Sequence, residues 1–121
     1  PFYPFSGDQA PAANMLNVPV AAYTRGMDIR EMIEMTWIPR LEAFKPEMIF
    51  ISAGFDAHVE DDMAGLAFMD DDYGWVTRKI KEFADKHCQG RIVSILEGGY
   101  NLGALGRSAE AHVRVLAGLD K

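Results

Sequence analysis

The chain has 121 residues, with 12 Lys plus Arg against 18 Asp plus Glu, 49% hydrophobic residues and one cysteine, which describes one globular domain that can build a core without disulfides. A net charge of −6 argues against direct nucleic-acid binding, since a duplex calls for a basic face. No apolar run reaches the ~20 residues that span a bilayer, no signal-peptide pattern opens the chain, and the lone Cys88 suits a reducing cytoplasm.

Residues 1–16 (PFYPFSGDQAPAANML) hold three of the six prolines and are expected to form an irregular lead-in. Residues 17–23 (NVPVAAY) predict a strand with Pro19 near its start or on a sheet edge. Asp28, with Glu31 three residues on, forms a capping-box pattern. It heads a helix to about Phe44, whose Ile29, Met32, Ile33, Trp37, Leu41 and Phe44 recur at spacings of 3 and 4, and Pro39 is expected to kink it. Residues 47–53 (EMIFISA) predict a strand buried on both faces. Residues 54–72 predict a long acidic loop.

Asp70, Asp71 and Asp72 supply N-terminal charge to a second helix carrying Tyr73, Val76, Ile80, Phe83 and His87 and ending near Gly90. Residues 91–96 (RIVSIL) predict another buried strand. Glu97, Gly98, Gly99 and Tyr100 predict a sharp turn into a third helix with Leu102, Leu105, Ala109, Val113 and Leu116 on one face. The order β-α-β-α-β-α implies a parallel sheet with helices on both faces. Ligands bind such sheets beyond the carboxyl ends of the strands, which singles out residues 23–26, 54–62 and 97–101.

In the second of these segments, Asp56 and His58 are both good ligands for zinc-like cations; equally, Asp56 can cap a turn while His58 stands in solvent. In the third, Gly98 and Gly99 let backbone approach a ligand closely and Tyr100 can aim its hydroxyl into the same space, or the turn is merely tight and Tyr100 packs on the last helix. The acids at 60–62 and 70–72 lack EF-hand spacing and read as solvated loop and helix caps. Cys88, at a helix C-terminus, is expected to be unreactive. His112 reads as a satisfied core histidine, His87 as a C-terminal helix charge, and the methionines as core filler.

ISAGFDAH (51–58) together with LEGGYN (96–101) resembles the zinc-dependent histone deacetylase superfamily, nearest its class II and bacterial amidohydrolase members. PFYPFSG, NVPV, FKPEMIFISAG and LGALGRSAEAHVRVLAG extend the resemblance over nearly the whole chain. It implies the C-terminal segment, 1–121, of a three-layer α/β/α domain with a parallel sheet, the arginase-deacetylase fold. By the same resemblance Asp56 is a zinc ligand, Tyr100 is the catalytic hydroxyl that stabilises the reacting carbonyl, and Gly98 and Gly99 line the substrate channel. His58 is not a ligand in this reading. The family's histidine pair and its other two zinc ligands lie upstream of the stretch that opens here, and a chain beginning at Pro1 is expected to be a piece of a longer protein.

The expected activity of that longer protein is hydrolysis of the amide of acetyl-lysine or of an acetylated polyamine, with Zn2+ as cofactor; the piece alone is expected to be inactive and, with part of its sheet missing, to self-associate. The alternative is a non-catalytic α/β module whose GGYN turn cradles an anion at the N-terminus of the last helix. The lack of Lys or Arg in that turn counts against it.

Overall fold

The computed structural model describes residues 4–10 and 12–120. Of the expected lead-in, residues 1–3 and 11 therefore lie outside the described residues; the rest forms turns and bends, and Arg40 holds it by donating to the carbonyls of Ala13 (3.0 Å) and Met15 (3.3 Å).

Residues 17–23 are not a strand. Pro19 has no N–H to give to a ladder, and Tyr23 turns the chain with a left-handed φ of 61°, so the segment meets its neighbours at single points. Tyr23 N–H donates to the Gly65 carbonyl (2.6 Å), and Arg25 forms an isolated parallel bridge with Ala67.

A helical run follows in three parts: α1 (Gly26–Met32), a π-helical turn (Ile33–Trp37) and α2 (Ile38–Phe44). Its N-cap is Arg25 rather than Asp28, and Asp28 contributes first-turn charge and pairs with Arg25 at 3.8 Å. The disturbance expected from Pro39, which lies in the first turn of α2, takes the form of the π turn just before it: a wider turn accommodates a ring that would crowd the carbonyl four residues back. Lys45, left-handed at φ 57°, ends the run.

Strands β1 (Ile49–Ala53) and β2 (Ile92–Leu96) pair in parallel, Ile49 opposite Ile92 and Ala53 opposite Leu96. They are joined through α3 (Asp70–His87), and α4 (Leu102–Leu116) follows β2. Among the described residues the sheet has these two strands and not the three expected. Phe83, Ala84 and Cys88 are buried against Leu41, Ile49 and Ile92, which covers one sheet face. The opposite face is open, with Phe50 68%, Val93 37% and Ile95 57% exposed, so neither strand is buried on both faces within these residues. A cleft of about 800 Å³ runs along β1, lined by Trp37, Leu41, Phe44 and Phe50 among others. Ile29, Ile33 and Phe68 form a second core where α1 meets α3; there the Asp72 carboxylate takes two hydrogen bonds from Arg30 (2.8 and 3.1 Å) and one from Met69 N–H (2.8 Å), the latter starting α3.

Helices α3 and α4 pack on each other. The buried face of α4 consists of Ala104, Ser108, His112 and Val115, not the expected leucine stripe; Leu102 and Val113 are exposed. Small side chains explain the difference, because they let the helices approach: a Cβ on Gly74 of α3 would stand 3.7 Å from that of Ala111. No helix among the described residues is long and apolar enough to cross a membrane.

Candidate functional site

Parallel pairing makes both strands leave the sheet at the same end. The ladder runs on past that end, with Glu97 N–H donating to the Ala53 carbonyl (2.9 Å) and Phe55 N–H to the Gly98 carbonyl (2.8 Å). Asp56 and the 97–100 turn are therefore neighbours, as the sequence pattern requires. The Asp56 carboxylate rests on backbone: a Cβ at Gly98 would lie 2.9 Å from its carboxyl carbon, and one at Gly54 would lie 3.2 Å from its Oδ1. Gly99 has φ 138°, and a Cβ there would press on Leu105 Cδ1 at 2.9 Å and Phe55 Cβ at 3.3 Å. Both glycines are thus dictated by close approach. Tyr100 is 60% exposed, so it is not packed away on α4.

Asp56 has no hydrogen-bond or ion-pair partner for its carboxylate among the described residues. An unneutralised carboxylate held at a strand end suits one position in a cation's ligand set. It does not complete one: no group of three His, Cys, Asp or Glu among the described residues could hold a metal ion. The Tyr73 ring packs at a tilt of 50° against Phe55 at 5.0 Å and Phe68 at 5.5 Å. Burial, helped by the charges of Asp56, Asp61 and Asp72, pushes its phenol well above the ordinary value, and it stays protonated.

His58 is neither ligand nor solvated loop residue; it is fully buried. Its Nδ1 accepts from Glu60 N–H (3.1 Å), so the proton sits on Nε2, which donates to Asp70 Oδ1 (2.6 Å). Asp70 Oδ2 accepts from Arg107 Nε (2.9 Å), and Arg107 also pairs with Glu60. Burial pushes the Asp70 carboxyl up, but the hydrogen bonds from His58 and Arg107 outweigh it and hold the group below its ordinary range.

Asp61 departs furthest from expectation. Read as a solvated acid, it is 5% exposed and accepts from Met63 N–H (3.0 Å), Tyr100 N–H (2.7 Å) and Asn101 N–H (3.1 Å). Burial pushes its carboxyl up; the hydrogen bonds from these three backbone amides more than reverse that and hold it below its ordinary range. An aspartate in a loop favours a turn through its own backbone, as the bond from Met63 N–H shows, but nothing local announced its link to residues 100 and 101. Nor did anything local announce the joining of Arg107 to Asp70. The Tyr100 and Asn101 amides are taken by Asp61, and Ala104 N–H by Asn101 Oδ1 (3.0 Å). An anion at the start of α4 would have to do without these three donors.

Residues 1–116 match the family model of the histone deacetylase domain. Type-2 histone deacetylase 1 of Dictyostelium discoideum is 39% identical over 104 residues, covering 86% of this chain and 7% of that protein. Histone deacetylase 14, chloroplastic, of Arabidopsis thaliana is 40% identical over 105 residues, covering 87% of this chain and 25% of that protein. The chain thus spans a quarter or less of these relatives. The crystal structure of the HDA15 HD domain is similar with a TM-score of 0.79 at 30% identity, over 97% of this chain and 34% of that one. By sequence and by fold, the chain belongs to the histone deacetylase domain family and forms part of its α/β arginase-deacetylase fold.

Proposed function

We propose that these residues are the C-terminal segment of a zinc-dependent deacetylase that hydrolyses the amide of acetyl-lysine or of an acetylated polyamine. The observation that carries the reading is the Asp56 carboxylate, without a partner among the described residues and seated on Gly98 at the same strand end as the exposed Tyr100. Asp56 is one zinc ligand; the other ligands and the histidines that move protons come from outside this segment. Bound zinc supplies a Lewis acid and an acidified water. Tyr100 donates its hydroxyl hydrogen to the amide oxygen as that oxygen gains charge, and the Gly98–Gly99 backbone gives the acyl chain a wall without side chains. The segment alone is inactive. Buried Cys88, whose thiol donates to the Pro46 carbonyl at 3.1 Å, supports a reducing compartment, which we take to be the cytoplasm.

The test uses the longer protein with residues numbered as here. Tyr100→Phe should keep zinc and fold while turnover falls about 100- to 1,000-fold, because the lost bond matters most in the transition state. Asp56→Asn should lose zinc and activity together. An active Tyr100→Phe enzyme would sink the role given to Tyr100, and an Asp56→Asn enzyme with full zinc would sink that given to Asp56.

A further inference from the structure

Asp61 is a nearly buried carboxylate with no Arg or Lys partner among the described residues; its bonds all come from backbone. Two of those donors are consecutive. Tyr100 N–H belongs to the peptide plane before the Tyr100 Cα and Asn101 N–H to the plane after it, so one oxygen, Asp61 Oδ2, fixes both planes that flank the tyrosine. Holding both planes fixes φ and ψ of Tyr100 and leaves its hydroxyl only side-chain rotations. The chain itself would not do this, because the preceding residue is Gly99, with φ 138° and few intrinsic restraints. Helix α4 does not need Asp61 as its cap either, since Asn101 Oδ1 already accepts from Ala104 N–H.

We propose that Asp61 is the positioning residue for Tyr100: its carboxylate holds the backbone on both sides of the tyrosine and so keeps the hydroxyl within reach of the reacting carbonyl. The proposal rests on the reading of Tyr100 given above. Asp61 touches no substrate and acts only through that backbone. A displacement of about 1 Å at a reacting group costs about 100-fold in rate, so Asp61→Asn, which turns an acceptor into an amide facing two N–H donors or leaves them one weaker acceptor, should lower kcat about 10- to 100-fold.

The experiment is a double-mutant cycle in the longer enzyme: wild type, Tyr100→Phe, Asp61→Asn and the double variant, each assayed for kcat, KM and zinc content. Positioning predicts that Asp61→Asn lowers kcat at unchanged KM and zinc content, and adds no further loss to Tyr100→Phe, because the hydroxyl that it places is already gone. Losses that multiply, or a fall in zinc content or a rise in KM, overturn the proposal. So does a fully active Asp61→Asn beside an impaired Tyr100→Phe, which leaves the reading of Tyr100 standing. A fully active Tyr100→Phe overturns both. Hydrogen exchange of the wild type gives an answer even if Asp61→Asn does not fold: the Tyr100 and Asn101 amides should be protected like amides inside α4, and free-loop exchange at these two positions overturns the proposal.

Discussion

A methyl group added at position 98 would stand 2.9 Å from the Asp56 carboxyl carbon, where unbonded carbons prefer about 3.5 to 4.0 Å. The carboxylate is the more movable partner, so Gly98→Ala should keep the fold and push Asp56 off its seat. In the longer protein, zinc affinity should then fall about 10- to 100-fold, the usual cost of disturbing what orients a ligand. Gly106 is the control: it lies inside α4 and a Cβ there meets nothing within 4 Å. Gly106→Ala should leave zinc alone and stabilise by up to about 1 kcal/mol. Normal metal content in Gly98→Ala would show that Asp56 has another support. The contrast between these glycines is invisible in sequence, since both lie in the same stretch and only the fold decides which has a carboxylate above it.

Helix α4 is tied to its neighbours through His112. Thr77 Oγ1 donates to the Tyr73 carbonyl (2.6 Å), so towards His112 it accepts from Nδ1 (2.7 Å), and Ser94 Oγ on β2 donates to Nε2 (2.8 Å). A neutral ring satisfies both, and burial pushes the His112 pKa below its ordinary 6.5. The folded form therefore binds its proton less readily than the unfolded one. The stability this contributes is full above pH 6.5 and is lost as pH falls below 6.5 through the folded pKa. Asp61 and Asp70, held below their ordinary 3.8, lose theirs only at pH values under 3.8. The melting temperature of the chain should thus decline from pH 7 towards pH 5, and His112→Gln should flatten that decline; an unchanged slope in the variant would rule His112 out. The same helix shows where sequence reading works. Strands β1 and β2 and helix α3 were legible because apolar β-formers or helical spacings are bounded by turn residues. The face of α4 was not, because the residues that it buries are Ala104, Ser108, His112 and Val115, mostly small or polar, whereas a hydrophobic period follows the leucines. Residues 17–23 failed for a different reason: their composition is strand-like, but Pro19 has no N–H for a ladder and Tyr23 turns the chain with a φ of 61°.

On the scale of the whole chain, two kinds of incompleteness meet. Phe50 and Val93 are opposite each other in the parallel register, with Ile95 beyond them, and all three are exposed on the open sheet face. Each strand also keeps one edge without a strand partner among the described residues, and such edges recruit other chains. Burying each of these side chains yields roughly 1.5 to 3 kcal/mol, so the isolated chain should self-associate. Phe50→Lys with Ile95→Lys should suppress this association, and sedimentation velocity reads both results; a monodisperse wild-type monomer at high concentration would count against it. Metal binding follows the opposite course. Association of copies brings further Asp56 carboxylates, but His58 and His112 have both ring nitrogens engaged, and the exposed His87 ends α3 just before β2 begins, away from the strand ends that carry Asp56. A lone carboxylate competes poorly with water for zinc. Calorimetric titration of the isolated chain should therefore show no tight one-to-one zinc site at any state of association, whereas the longer protein should take up zinc and lose it with Asp56→Asn. Tight stoichiometric binding by the isolated chain that survives Asp56→Asn would move the metal site away from the strand ends altogether.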